Sequence, residues 1–289
     1  MDIEDYFSRI GYKGLRGKPD METLTAILQL QIRAVPFENL SIHCGEAIEL
    51  NLEAIYHKIV RKNRGGWCME LNQLLFWALT TIGYEVAMLA AKVYSVPEER
   101  YCEKASHLLL LVTVEGKAYI VDSGFGIAFY QMWQPIELVS GKDQPQSPGI
   151  FRLTEDNGTW HFGKVNRKSS STRQMLSILG KRDYRKIYSF TLEPHTIEDF
   201  CYVNKYLQTA PESVFTQNSI CCLRTLEGSS TLIGWTLITV TFDYKDDTDL
   251  MTSMTVKDED IGKILREKFN IVLERKFVPC SSKAMTFSD

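Results

Sequence analysis

The change from helical to strand-like sequence falls within residues 63–86, which read NRGGWCMELNQLLFWALTTIGYEV. The segment Asn63 to Gly66 interrupts the pattern, because paired glycines favour turns over regular structure. Behind it, apolar side chains recur at the spacing of one helix face as far as Gly83, at Leu71, Leu74, Leu75, Ala78, Leu79 and Ile82. The stretch predicts a buried helix with Cys68 in its first turn.

The residues before this stretch also have a helical pattern. Ile3 to Ile10 carries one apolar stripe. A second helix is predicted after Asp20, which can cap it, and it must stop before Pro36. A third covers Leu52 to Val60. The whole region up to Gly83 is therefore predicted to be helical.

Past Gly83 the sequence changes to short runs rich in Val, Ile, Tyr and Leu, which is typical of an antiparallel sheet or barrel. We predict a hairpin turn at Asn157-Gly158 and a polar surface insertion over Lys164 to Asp183. The predicted strands are Val86 to Tyr94, His107 to Val114, Lys117 to Asp122, Ile150 to Thr154 and Thr159 to Phe162.

The last third mixes both patterns. Thr196 to Thr209 predicts a capped helix that ends before Pro211. Two strands, Ser219 to Thr225 and Thr231 to Val240, and a helix over Asp258 to Phe269 follow. The fold class is therefore α+β. We expect four segments: a helical one over 1–83, a β one over 84–192, an interdomain helical one over 193–228 and a mixed α/β one over 229–289.

Composition excludes several classes of protein. The 289 residues are 44% hydrophobic and 24% charged, with a net charge of −3 and no basic block, so we expect a globular protein that does not bind nucleic acid. The apolar runs are too short for a membrane span, and the acidic start is unlike a signal peptide, which predicts a cytoplasmic protein. Seven cysteines without regular spacing indicate reduced thiols.

Cys68 is the leading candidate for a nucleophile. Two glycines precede it, and the free N–H groups and dipole of a helix start favour a thiolate. The dipole alone supplies about 0.3–1 kcal/mol, less than one pKa unit at about 1.36 kcal/mol. A histidine that accepts the proton, backed by a carboxylate, must supply the rest.

Hairpin geometry selects His107 among the five histidines. If Glu115 and Gly116 form a two-residue turn, Leu109 faces Asp122 across the strand pair. His107 and Asp122 then share one face as diagonal neighbours, with Cα atoms roughly 7–8 Å apart. A three-residue loop would place them on opposite faces, so the pairing depends on turn length.

Other kinds of site have little support in the sequence. There is no C-x-x-C or H-E-x-x-H pattern, and we predict no metal site. Glycine-rich phosphate loops are missing as well. The three candidate residues fit a thiol hydrolase of the peptidase or transglutaminase type equally well, and a non-enzymatic binding protein with a merely buried Cys68 is the remaining alternative.

Motifs along nearly the whole chain closely resemble the arylamine N-acetyltransferases of vertebrates. They are Arg64 to Cys68 (RGGWC), Ile32 to Leu40 (IRAVPFENL), His107 to Leu110 (HLLL), Tyr119 to Gly126 (YIVDSGFG), Gln131 to Pro135 (QMWQP), Ser140 to Gln146 (SGKDQPQ), Thr196 to Phe200 (TIEDF) and Phe242 to Asp249 (FDYKDDTD). The resemblance implies an N-terminal helical bundle, a central antiparallel β-barrel and a C-terminal α/β lid around a cysteine-protease-like Cys-His-Asp core.

The resemblance also implies a reaction. Acetyl-coenzyme A would acetylate Cys68, with His107 as base and Asp122 as its support, and an aromatic amine or hydrazine would take the acetyl group. Arg64 would be structural, with Glu38 as its partner. We expect a monomer without a metal. Residues implied in the acceptor pocket are Phe37, Ser106, His107, Phe125, Ile127 and Phe129, and those implied in coenzyme binding are Glu103, Lys104 and Tyr206.

Overall fold

Helices form the first part of the chain and two sheets form most of the rest. The architecture is that of a computed structural model, which describes residues 1–14, 19–147, 149–165, 168–169, 184–243, 245 and 248–282, without the side chains of residues 129, 168, 169 and 248. None of the helices within these ranges has the length and apolar character needed to cross a membrane.

Helix boundaries follow the capping residues. The Asp2 and Asp20 side chains accept hydrogen bonds from backbone N–H groups in the first turns of two helices, and Gly11 ends the first in the left-handed conformation (φ 75°). The predicted third helix is α-helical only to Tyr56, and His57–Arg61 continues it as a π-helical turn. The helices of this region are α1 (Ile3–Ile10), α2 (Met21–Ala34), α3 (Leu40–His43), α4 (Leu52–Tyr56) and α5 (Cys68–Ile82).

The larger sheet has nine strands, and all of its neighbours pair antiparallel. Its strands are β2 (Glu85–Ser95), β3 (Arg100–Tyr101), β4 (His107–Val114), β5 (Lys117–Val121), β6 (Ile136–Glu137), β7 (Asp143–Gln146), β8 (Gly149–Asp156), β9 (Thr159–Val165) and β11 (Tyr184–Phe190). They lie in the order β6-β5-β4-β2-β11-β9-β8-β7, and β3 pairs with β2. The β8–β9 turn is the predicted Asn157-Gly158, and both of its residues have positive φ.

The two edges of this sheet approach each other, so it forms a nearly closed barrel. The Gln144 side chain on β7 accepts a hydrogen bond from the Glu137 backbone N–H on β6 (2.8 Å) and donates one to the Glu137 carbonyl (2.9 Å). Where β6 and β7 meet, the Gln144 side-chain amide therefore makes the hydrogen bonds that a neighbouring strand would otherwise make. This arrangement agrees with the predicted antiparallel barrel.

The smaller sheet has six strands and includes a strand from the N-terminal region. Its strands are β1 (Phe37–Glu38), β10 (Lys168–Ser169), β12 (Ile220–Arg224), β13 (Gly228–Ile233), β14 (Thr236–Asp243) and β15 (Thr248–Thr255), in the order β1-β12-β13-β14-β15-β10. The β10–β15 pair is parallel and the other pairs are antiparallel. The remaining helices are α6 (Cys201–Thr209), which follows a 3₁₀ turn at Ile197–Phe200, α7 (Val214–Gln217) and α8 (Asp258–Phe269).

One strand prediction and the predicted start of the polar insertion were wrong. Thr231 to Val240 is not one strand, because a turn at Gly234-Trp235 separates β13 from β14. The predicted insertion from Lys164 also begins too early. Lys164 lies inside β9 and is fully buried, with its ammonium 5.5 Å from the centre of the Phe151 ring. Apart from residues 168–169, the remainder of that insertion from residue 166 lies outside the described residues.

One apolar core joins the helices to the barrel, and a second lies under the smaller sheet. In the first, the apolar face of α5, predicted from its spacing, packs against β4 and β2. In the second, Ile261, Leu265 and Phe269 of α8 pack with Leu232 and Leu237. Because α5 is pressed against the barrel along its length, its first turn lies beside the start of β4.

Candidate active site

Cys68 is the first residue of α5, as predicted, and is 6% exposed. The helix is capped by Glu70, whose Oε2 accepts a hydrogen bond from the Trp67 backbone N–H (3.1 Å). The Cys68 Sγ lies 3.8 Å from the Ser106 carbonyl oxygen, one residue before β4. The sulfur is therefore held at a helix N-terminus, where the dipole and free N–H groups favour negative charge.

The β4–β5 hairpin has the two-residue turn on which the predicted pairing depends. Val114 pairs with Lys117 and Leu110 with Val121, so the predicted register is confirmed. Asp122 directly follows β5, and its Oδ2 accepts a hydrogen bond from His107 Nε2 at 2.7 Å. Both side chains are buried, at 3% exposure for His107 and 2% for Asp122.

Charge stabilises this pair strongly. Burial disfavours the charged ring, but the Asp122 carboxylate and hydrogen bonds with Asp122 and Cys68 outweigh burial and raise the pKa of His107 to about 10. Burial likewise works against the Asp122 carboxylate, and the His107 charge and the hydrogen bonds to it lower the pKa of Asp122. Near neutral pH the pair is therefore an imidazolium and a carboxylate, and Cys68 interacts with the same ring.

Sequence reasoning missed a buried amide that supports this pair. Asn72, one turn after Cys68 on α5, donates a hydrogen bond to Asp122 Oδ1 (2.9 Å). The available signal was a polar residue on the buried side of an apolar helix. Tyr188 was missed too: its ring centre lies 5.2 Å from that of His107. It comes from β11, and nothing in the local sequence of that strand indicates this contact.

Among the residues implied in the acceptor pocket, Phe37 and Phe125 pack beside the site, whereas Ile127 is exposed. The Phe125 ring meets the His107 ring edge to face, with centres 5.3 Å apart. Phe37 forms a backbone bridge with Gly66, and its ring fills the space that a side chain at residue 126 would need. Ile127, in contrast, is 54% exposed. Phe129 lies in the 3₁₀ turn Ala128–Tyr130, and its side chain is outside the described part of the chain.

The residues implied in coenzyme binding lie near the surface beside α6. The Lys104 ammonium lies over two tyrosine rings, 5.0 Å from the centre of Tyr202 and 5.5 Å from that of Tyr206. The Tyr206 hydroxyl donates a hydrogen bond to Glu212 (2.8 Å). Glu103 contacts Arg100 at 3.4 Å and points its charge toward that arginine. Lys104 is thus a cation placed two residues before the carbonyl that touches the sulfur.

The predicted Arg64–Glu38 ion pair is present and supports the loop before Cys68. Arg64 donates two hydrogen bonds to the fully buried Glu38 carboxylate, Nε to Oε1 (2.9 Å) and Nη2 to Oε2 (3.1 Å). Burial works against the charge, and Lys58 and Arg64 lower the pKa of Glu38. A cavity of about 430 Å³ opens beside this pair, and Cys68 does not line it. Within the described ranges, no group of three or more metal-binding side chains occurs.

A family described as N-acetyltransferase matches residues 20–278. The chain is 57% identical to "Arylamine N-acetyltransferase 1" of Homo sapiens over 282 residues, covering 96% of this chain and 97% of that one. It is 56% identical to the pineal gland isozyme NAT-10 of Gallus gallus, an arylamine N-acetyltransferase, over 286 residues and 98% of each chain. The chain therefore belongs to the arylamine N-acetyltransferase family.

Solved structures agree with this assignment. The arylamine N-acetyltransferase of M. smegmatis superposes with a TM-score of 0.81 at 27% identity and covers 96% of both chains. The Mycobacterium marinum enzyme, solved in complex with CoA, has a TM-score of 0.79 at 24% identity over 93% of both chains. At that identity the second comparison supports the fold alone.

Proposed function

We propose that this protein is an acetyltransferase that moves an acetyl group from acetyl-coenzyme A to the nitrogen of arylamines, arylhydrazines and heterocyclic amines, and to the oxygen of N-hydroxyarylamines. The transfer passes through a thioester on Cys68. The observation that carries the proposal is the buried contact of His107 with Asp122 at 2.7 Å, beside a thiol at the start of α5. We further propose that the enzyme works as a monomer in the cytoplasm.

In the first half-reaction, Cys68 attacks the thioester carbonyl as a thiolate beside the His107 imidazolium. A bond forms between Sγ and the acetyl carbon, and the bond from that carbon to the coenzyme sulfur breaks. His107 gives its proton to the departing sulfur. One thioester replaces another, so the acetyl group stays activated.

In the second half-reaction, the amine nitrogen attacks the acetyl carbon on Cys68. The carbon–sulfur bond breaks, His107 takes the proton that the nitrogen loses, and the thiolate–imidazolium pair is restored. Asp122 remains a carboxylate throughout and stabilises the imidazolium in both steps. Its lowered pKa supports that role.

The acceptor ring is proposed to lie against Phe37 and Phe125, with the Ser106 backbone and His107 beside the reacting carbon. The edge-to-face contact of Phe125 with His107 supports this, because it places an apolar wall next to the base. Ile127 and Phe129 are proposed as further acceptor contacts. The exposure of Ile127 suits a residue that only a bound ring would cover.

The donor is proposed to reach Cys68 past the segment before His107, where the backbone N–H groups of Glu103 and Lys104 would contact its phosphates. Lys104 adds a cation for the phosphates, and the rings of Tyr202 and Tyr206 hold it in place. Tyr206 is proposed as a direct coenzyme contact. Acetyl-coenzyme A is thus the co-substrate, and the proposal includes no metal.

Intact mass after mixing with acetyl-coenzyme A alone tests the proposal. We expect one added acetyl group on the wild type and on Cys102→Ala, which removes an exposed free thiol, and none on Cys68→Ala. The acetyl group should then move to 4-aminobenzoate or sulfamethazine. A wild type that stays unmodified, or a Cys68→Ala variant that still acetylates amines, would contradict the proposal. Peptide cleavage by the unmodified protein would favour the thiol hydrolase alternative.

A further inference from the structure

Asn72 is fully buried between α5 and the β4–β5 hairpin, and all of its side-chain hydrogen-bonding groups are used. Its Nδ2 donates to Asp122 Oδ1 (2.9 Å) and to the Leu108 carbonyl (2.6 Å). Its Oδ1 accepts from the Ser123 backbone N–H (2.9 Å) and from the Ser123 hydroxyl (3.1 Å). One amide therefore ties the nucleophile helix to β4, to Asp122 and to the residue that follows it.

Its neighbours fix the orientation of this amide. The Ser123 backbone N–H can only donate, so the Asn72 oxygen must face it and the Asn72 nitrogen must face Asp122. The Ser123 hydroxyl accepts a hydrogen bond from Gln31 Nε2 (2.7 Å), which leaves its own proton for Asn72 Oδ1. Gln31 is held in turn by the Tyr6 hydroxyl (2.5 Å). A flipped Asn72 would leave buried donors facing each other.

The amide also restricts the carboxylate. Asp122 Oδ1 accepts from Asn72 and from the Gly124 backbone N–H, both at 2.9 Å. Oδ2 is the oxygen that faces His107. Rotation of the carboxylate would break the two hydrogen bonds to Oδ1 in a buried site, where each unmade bond is costly. The position of Oδ2 opposite the ring thus depends on Asn72.

We propose that Asn72 is a positioning residue for acetyl transfer, which acts through Asp122 and His107 to set the reactivity of Cys68. The proposal rests on the proposed function for the identity of the acyl donor only. Cys68 and Asn72 are four residues apart and so share one face of α5. The helix that carries the nucleophile therefore also carries the group that orients the acid.

Alkylation of Cys68 by iodoacetamide, followed against pH, tests this role. Asn72→Ala should move the pH midpoint of alkylation upward, by at most about one to two pH units, because the carboxylate that faces His107 loses a charge-assisted hydrogen bond that orients it. At pH values below both midpoints the alkylation rate should fall by up to about 10- to 100-fold. The acetylation rate by acetyl-coenzyme A should fall with it, while the donor concentration for half-maximal rate stays the same.

Asn39→Ala is the matched control. Asn39 is equally buried, and its side chain bonds to the backbone of Phe215, Asn218 and Ile220 instead of the hairpin. We expect it to lower the melting temperature and leave the alkylation midpoint where it is. An Asn72→Ala protein with the wild-type midpoint and the same loss of melting temperature would show a merely structural role and overturn the proposal.

Two milder variants cover the case in which Asn72→Ala does not fold. The side chain in Asn72→Ser is too short to reach Asp122, and Ser123→Ala removes one of the two hydrogen bonds that the Asn72 Oδ1 accepts. Both should raise the alkylation midpoint, Ser123→Ala by the smaller amount, and wild-type midpoints in both would overturn the proposal. A wild type that takes no acetyl group while Asn72→Ser raises the midpoint would contradict the proposed function and support the positioning role.

Discussion

The buried His107–Asp122 pair should make the stability of the fold depend on pH in the alkaline range. Asp122 and the hydrogen bonds outweigh the effect of burial and raise the pKa of His107 from 6.5 to about 10. Because the folded pKa is the higher one, the stabilisation is fully present below pH 6.5 and is lost as the pH rises towards 10. At about 1.36 kcal/mol per pH unit, this difference corresponds to at most about 5 kcal/mol.

Asp122 contributes to the pH dependence of stability at acidic pH, where stability rises with pH instead of falling. Its folded pKa is lowered, so its stabilisation is present above the unfolded value of 3.8 and is lost as the pH falls through the folded value. The pair is therefore most stabilising between these two limits. The change in stability at alkaline pH can be measured without acid denaturation of the rest of the protein.

A double variant with two neutral side chains of similar shape isolates the contribution of the His107–Asp122 charges to stability. His107→Gln/Asp122→Asn, compared with the natural pair, removes both charges and keeps the side-chain volumes. Both proteins should carry Cys68→Ala, because thiol ionisation in the unfolded chain would otherwise offset the proton lost by the imidazole. The assay is urea unfolding at several pH values from about 6.5 to 9.5, and the quantity compared is the difference in free energy of unfolding.

We expect this difference to fall steadily with pH, by less than about 4 kcal/mol over that range, because Cys68→Ala removes one of the interactions that raise the pKa of His107. The remaining titratable groups are the same in both proteins, so their contributions cancel. A difference that stays constant within about 0.5 kcal/mol would show that the ring loses its proton at the same pH in both states, and would refute the electrostatic account of the site.

Three further predictions concern other contacts. Arg64→Ala should lower the free energy of unfolding by about 3–5 kcal/mol, because Glu38 stays buried without its cation, and Arg64→Lys should recover only part of that free energy. A loss below about 1 kcal/mol for Arg64→Ala in urea unfolding would contradict this expectation. Gly124→Ala should reduce both melting temperature and Cys68 alkylation, because a Cβ there would lie 2.7 Å from the Cys68 Cα; the control Gly262→Ala, in open space on α8, should instead gain about 0.5–1 kcal/mol. Lys104→Ala should raise the acetyl-coenzyme A concentration for half-maximal rate about two- to fivefold at low salt and less at high salt, whereas Lys142→Ala, at an exposed lysine, should leave that concentration unchanged. The same half-maximal concentration in both variants would exclude Lys104 from donor binding.

Local signals predicted most of the elements that position the site. The Asp20 cap and the apolar spacing after Cys68 each involve residues within one or two helical turns. The β4–β5 register depends only on the length of one turn, and that register alone brings His107 and Asp122 onto one face. Where the decisive interaction lies between close neighbours in sequence, the sequence is sufficient.

Predictions were wrong or incomplete where distant segments decide the structure. The strand Phe37–Glu38 has two residues and exists because it pairs with Cys221 and Cys222, which come far later in the chain. The turn at Gly234-Trp235 was hidden because apolar residues continue on both sides of it. Tyr188 reaches His107 only because β11 crosses the barrel to pair with β2. No local pattern contains the pairings of Phe37–Glu38 and of β11, whereas the turn at Gly234-Trp235 is a local feature, with Ile233 paired to Thr236 directly across it.

The arrangement of the site reduces to the placement of one hairpin against one helix. Cys68 and Asn72 lie about 6 Å apart along α5, at about 1.5 Å per residue, and the helix cannot change that separation without unfolding. The β4–β5 hairpin fixes His107 relative to Asp122 in the same way. The contact of Asn72 with Asp122 then joins these two rigid elements at the acid, and the contact of Cys68 with Ser106 joins them at the sulfur. Two contacts between two rigid elements leave little freedom for the thiol to move away from the ring, so residues far apart in sequence hold a reactive geometry.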